Sequence, residues 1–564
     1  MTRSGLLPRG LVALGAGAVL VAALSAHGAA GAGGDVASTA ARFAGPRITG
    51  LRRLTEAQYR NTIADIFGPD IRVAGRFEPI VRPVHELIAS GARDSSVSPS
   101  GLEQLDAIGR GVAAQVFDDK HRALFLPCQP HDEAAPDESC ARAALLPLGR
   151  YLFRRPLTDA EGNGYVAMAG AAARTAHSFD KGLELGLAAM LESPQFLYIV
   201  ETAQPDPQHP GVLVLDDYSR ASRLSYTLWN TTPDAALLAS AASGRLHDPA
   251  VLAATAAKMV KSPRFEDGIR AFFADMLLFE RFDSLSKDPI IFPYFNSEVA
   301  AAMPEQMLRT ITDHLLTRDG DYRQLFLTGH TFMTRALGGL YQVPVHKDKG
   351  WEPYQFAPGA DRAGLLGQAG FLAIYSQTGR SSPTLRGRAI RELLLCQPVP
   401  NPPGNVNFTA VQDVKNRAMP TARVRLAAHM TDENCAGCHR LTDPLGLSLE
   451  RFDGIGGWRT TENGAVIDPA GKLDKQDFSG AEGLGKLLAA SPDASQCVAS
   501  RALEYVRGQP SDDADAMVES LDSHFAASGY RIRALFLDAV TQPQVWEVKE
   551  PPLGAPTHLS LLER

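Results

Sequence analysis

Apolar residues recur at three- and four-residue spacing through most of this chain, between breaks rich in Pro and Gly, while alternating strand-like runs are scarce. That periodicity predicts a mainly α protein. At 564 residues it must divide into several units, because single hydrophobic cores stop growing near about 250 to 300 residues. Start signals place individual helices. Thr55 and Gln58 form a capping-box pattern, followed by Tyr59, Ile63, Ile66 and Phe67 on one face and Gly68 as the stop. Thr158 and Glu161 repeat that start after Arg154-Arg155-Pro156. Further stripes run from Leu215 through Leu224, Leu228 and Trp229, and around Met259, Phe272, Phe273 and Leu277; these read as core faces.

Cys435-Ala436-Gly437-Cys438-His439 carries the chemistry. C-x-x-C-H is the spacing at which two thiols add across the vinyl groups of one porphyrin and the next histidine brings an imidazole to iron, so one covalently attached haem c is expected. The pair alone is also compatible with a dithiol or zinc site. The first wants a preceding strand in a βαβ setting, and the second wants two more ligands where His429 is the nearest extra candidate.

The start of the chain points to export. Arg3 and Arg9 form a basic beginning, Leu11 to Leu24 is a short apolar run, and Ala26-His27-Gly28 offers small residues for cleavage. Residues 1–30 are therefore expected to be a signal peptide, with the mature protein periplasmic or secreted. The run is shorter than the roughly 20 residues of a spanning helix, so no permanent membrane span is expected after cleavage. Haem c attachment takes place outside the bacterial cytoplasm, in agreement with the pentapeptide. Of six cysteines, two are assigned to the porphyrin, leaving Cys128, Cys140, Cys396 and Cys497 for two disulfides. The short segment between Cys128 and Cys140 favours a local bridge, and Cys396 with Cys497 follows by elimination. The formal net charge of −7, without a basic block, suggests no nucleic-acid partner.

Breaks at residues 204–211, 343–358 and 398–406 divide the chain, the last as an extended connector through Pro400, Pro402 and Pro403. The expected order after the signal is an N-terminal helical domain (47–204), a central helical domain (212–345) and a helical segment (359–400). A cytochrome c-like haem region (404–490), a C-terminal helical region (491–550) and a loose tail (551–564) follow. Residues 31–45 read as a tether.

Around the haem segment, Pro444 is expected to end the pentapeptide's helix, and its carbonyl to accept from the second ring nitrogen of His439. Leu445, Leu447 and Phe452 are candidate walls. Trp458 and Arg459 are candidates for binding haem propionates. For the second axial ligand His429 leads, with Met430, Met419, Met517 and His524 also open. Ser381-Ser382-Pro383 near Arg386 reads as a helix start, not a nucleophile, and Asp216-Asp217 as helix-start charges.

With these residues in view, the chain resembles the large family of exported multi-domain proteins with a planctomycete-type cytochrome c region. The likeness rests on Arg53-Leu54-Thr55 with Tyr59, on Phe153-Arg154-Arg155-Pro156-Leu157-Thr158, on Ser193-Pro194-Gln195-Phe196 and on Arg223-Leu224-Ser225-Tyr226. Arg362-Ala363-Gly364-Leu365-Leu366 continues it. It is strongest from Cys435 to Arg459, through Asp443-Pro444, Gly446, Glu450, Phe452-Asp453, Gly456, Trp458 and Arg459. The resemblance implies haem binding, export and modular helical architecture, a single haem because no second C-x-x-C-H occurs, and histidine commonly at the place of His429. It implies no particular reaction. Three functions stay open: electron transfer to a redox partner protein or small organic substrate, oxidative catalysis at an open iron, and a non-enzymatic extracellular binding or assembly role with structural haem.

Overall fold

A computed structural model describes residues 47–548 except 208, 363, 402–417, 432 and 511–513. The signal, the tether, most of the 398–406 connector and the tail lie outside the described residues. The protein is mainly α, as the periodicity predicts, with small antiparallel sheets. No helix among the described residues is long and apolar enough to cross a membrane.

The local signals act where they were read. Thr55 caps Glu56–Phe67, its side chain accepting from Gln58 N while Gln58 accepts from Thr55 N, and Gly68 ends the helix at φ 92°. Thr158 and Glu161 form the same reciprocal cap on Asp159–Ala176. Asp216 caps Asp217–Leu228, and Ser382 caps Pro383–Ala389 with Pro383 at its first position. Each side chain satisfies an amide that the helix itself leaves without an acceptor.

The periodicity does not show a four-stranded sheet of Arg47–Arg53, Tyr198–Pro205, Leu213–Leu215 and Glu547–Val548, hydrogen-bonded in that order and antiparallel throughout. It ties the start of the described chain to its end. One apolar core lies mostly within residues 54–199, with Tyr226 reaching into it. A second, larger core draws on Leu224 and Phe272 from the middle of the sequence and on Tyr505 and Phe536 from its end. Phe272 packs edge-on to both Tyr505 and Phe536, at 5.5 and 5.1 Å. In the strand Tyr198–Pro205 lies Glu201, 1 % exposed, accepting from Arg223 Nε at 2.8 Å and Arg93 Nη1 at 3.2 Å.

Both expected disulfides are present, Cys128–Cys140 and Cys396–Cys497. The second spans 101 residues and encloses the pentapeptide. Cross-linking so long a loop restricts the unfolded chain, so replacing both Cys396 and Cys497 by serine should cost about 2–5 kcal/mol in urea unfolding. An unchanged midpoint would show that the bridge adds nothing.

Candidate haem-attachment site

Two helices build the site. Ala422–Thr431 carries His429 in its last turn, and Glu433–Leu447 carries Cys435, Cys438 and His439. Glu462 fixes the first helix by accepting from Ala422 N at 2.7 Å and pairing with the buried Arg425. The second is held against Pro383–Ala389 by glycines. A Cβ on Gly446 would stand 1.7 Å from Pro383 O, and one on Gly387 1.8 Å from Thr442 O. Only hydrogen at these two positions lets the backbones approach so closely.

Cys435 and Cys438 lie outside both disulfides, half-buried and three residues apart, so they share one helical face. Cys438 Sγ donates to Pro400 O at 3.1 Å. His439 follows, its Nδ1 2.7 Å from Asp443 Oδ2. Asp443 is fully buried, and its other oxygen accepts from Thr384 Oγ1 at 2.8 Å and Thr442 Oγ1 at 3.2 Å. A carboxylate accepts, so Nδ1 carries the proton and Nε2 keeps a lone pair for a metal. The His429 ring meets the His439 ring edge to face, centroids 4.8 Å apart.

This arrangement corrects the role expected of Pro444. The helix continues through Pro444, so the residue four beyond His439 on the same face is Asp443, and its carboxylate accepts the hydrogen bond from Nδ1. Pro444 O instead faces Gly471, where an added Cβ would lie 2.7 Å away. Sequence reasoning missed Asp443, although its spacing from His439 on a helix was the available signal. Leu445 and Phe452 turn into the large core, while Leu447 joins Ala422 and Leu426 in a small apolar cluster beside the site.

Trp458 is 42 % exposed and packs edge-on to Phe452 at 5.3 Å. Arg459 has another partner than a propionate: its Nη2 donates to Glu450 Oε2 at 2.8 Å and to Ser381 Oγ at 2.9 Å. Glu450 is buried, which pushes its carboxyl above the ordinary range, and Arg459 offsets that cost together with Arg386. Arg386 is itself fully enclosed, donating to the carbonyls of Leu449 and Phe452, and burial pushes its guanidinium down to about 10. Ser381 is thus a partner of Glu450. Of the other axial candidates, Met430 shares a 400 Å³ cavity with Leu426, Asp443, Pro444 and Leu447. Met517 packs against the large core, and His524 bonds Asp538 at 2.9 Å.

The residues present fit a c-type haem. Two thiols on one face stand outside the disulfides that bridge the other four cysteines, the following imidazole is oriented through a buried carboxylate, and Asp443, Pro444 and Leu447 of the same helix line a mostly apolar cavity. Among the described residues no group of three His, Cys, Asp or Glu side chains converges as a bare metal ion would require.

Comparison with known proteins gives five family matches, each described as a protein of unknown function. They are DUF1587 over residues 52–118, DUF1595 over 140–201, DUF1592 over 215–343, DUF1588 over 362–462 and DUF1585 over 474–545. No curated protein and no solved structure matches the chain. The DUF1588 match contains the pentapeptide and both helices of the site. Between residues 52 and 545 the chain thus matches, in order, five models of the planctomycete cytochrome c-associated domains.

Proposed function

We propose that this is an exported, periplasmic or secreted mono-haem c-type protein that passes electrons to a redox partner protein or a small organic substrate. The observation that carries the reading is the pair of thiols, outside both disulfides and on one helical face, followed by an imidazole whose Nδ1 is held by buried Asp443. Two disulfides agree with an oxidising compartment. Bound there, haem c supplies a one-electron iron centre. Cys435 and Cys438 would hold the porphyrin by thioether bonds and His439 would ligate through Nε2. Asp443 keeps that ring from rotating, and Thr384 in turn keeps Asp443 in place. His429, whose ring touches that of His439, is the nearest further imidazole, and it would have to draw away from His439 to leave room for a porphyrin between them.

The test is an absorption spectrum of protein matured in a host that attaches haem c, oxidised and reduced, with and without cyanide. Low-spin bands in both states that cyanide leaves unchanged are expected. Cys435→Ser with Cys438→Ser should yield colourless protein that keeps its disulfides and its cooperative unfolding. Colourless wild-type protein would end the haem reading, and a high-spin site that takes up cyanide would replace the carrier by an oxidative enzyme.

A further inference from the structure

We infer that a cavity of 230 Å³ between the strand Arg47–Arg53 and the helices Asp217–Leu228 and Pro492–Arg507 binds a small organic monocarboxylate. It lies where four of the matched regions meet, and its lining includes Arg52, Ile199, Thr227 and Tyr505.

Arg52 is the reason for a charged ligand. Its side chain is 6 % exposed, and its Nε has no acceptor among the described residues. The neighbouring carboxylate, Glu201, is already taken by Arg223 and Arg93, one on each oxygen. Arg507, 9 % exposed and also close to Arg93 and Arg223, likewise has an Nη1 without a partner. Three guanidiniums therefore share one carboxylate, with the Arg507 guanidinium close to two of them. Water entering the cavity would satisfy an N–H but would leave the surplus charge in place, whereas a carboxylate does both. Arg53, the next residue, is the contrast: its guanidinium donates to Ser96 O, Glu78 O and Ser95 Oγ. The chain also makes room for Arg52. Gly508 stands at φ 65°, and a Cβ there would come 2.6 Å from Arg52 Cδ.

The rest of the cavity selects the ligand. Ile88, Ile199 and Phe279 form apolar walls suited to an aliphatic or aromatic body. Thr227 also lines the cavity, although its Oγ1 is sealed from it and has no hydrogen-bond partner among the described residues. Asp275 and Glu280 are also on the wall, but both are committed to Arg82, at 2.9 and 2.6 Å. A second negative charge on the ligand would face these two carboxylates, which disfavours phosphate and dicarboxylates.

The full-length mature protein is titrated with benzoate and hexanoate, and with benzamide and inorganic phosphate as controls, by calorimetry and thermal unfolding. One of the two carboxylates should bind saturably and raise Tm, and the controls should not. Arg52→Gln should weaken that binding by about tenfold or more. The same variant without ligand should be no less stable than wild type, since it removes one of several buried positive charges that share a single carboxylate; a purely structural arginine would lower Tm instead. Ala274→Leu fills the cavity while keeping Arg52, and it should abolish binding in a protein whose fold is otherwise kept. No carboxylate binding to wild type, equal binding to Arg52→Gln, or benzamide binding as tightly as benzoate would each overturn the inference.

Discussion

Glu201→Gln is expected to lower the unfolding free energy by about 3–5 kcal/mol at pH 7, because it leaves buried guanidiniums without their shared counter-charge. Glu201 sits on the strand Tyr198–Pro205 and is 1 % exposed. Burial alone would raise its carboxyl, but Arg223, Arg52 and Arg93 overrule that and hold it down to about 2. The direction of the pH dependence follows. A carboxyl at 4.5 in the unfolded chain and about 2 in the folded one makes the unfolded state bind more protons between those values. Its contribution, about 3 kcal/mol, is fully present above pH 4.5 and is lost as pH falls toward 2. Urea unfolding of wild type and Glu201→Gln from pH 7 to pH 2.5 checks both parts. The two curves should converge in acid, and parallel curves would show that Glu201 does not titrate with unfolding.

The second large effect is expected at Gly446. Alanine there brings a methyl group to 1.7 Å from Pro383 O, a backbone atom that cannot rotate away. Overpacking of this kind costs about 1–3 kcal/mol and more where backbone must move. For the helices Pro383–Ala389 and Glu433–Leu447 to separate, Thr384 must draw back from Asp443, and Asp443 holds His439. Gly446→Ala should therefore lower Tm and also reduce the fraction of protein carrying covalent haem. Gly437→Ala is the control, since its added Cβ meets nothing within 4 Å although it lies inside the pentapeptide. Equal haem content and Tm in the two variants would disprove the role of the helix crossing.

Much of the site was legible because its spacing is local. The thiols and imidazole fall within five residues, and Ser382 caps its helix through an amide three residues away. Both disulfides were reached by counting: once Cys435 and Cys438 were set aside, a short acidic and Pro-rich segment singled out Cys128 and Cys140. Pro444 misled, because a proline is ordinarily a helix end, and here the helix runs on to Leu447. Arg459 shows a different limit. A guanidinium beside an indole suits a buried anion, and Glu450 is one such anion, yet nothing in the sequence said that residue 450 would be 2 % exposed.

What the amino-acid sequence determined by itself is the helical character, the caps at Thr55, Thr158 and Asp216, the cysteine pairing and the thiol-imidazole cluster. Each depends on residues that are neighbours along the chain, or on a count of what is left over. Tertiary structure alone decided that residues 47–53 and 547–548 share a sheet, that Glu201 gathers Arg52, Arg93 and Arg223, and that Arg52 faces a cavity. Those outcomes come from burial and from contacts between residues tens to hundreds of positions apart. Desolvation and pairing there set the energy of every charged group, and neither has a local signature.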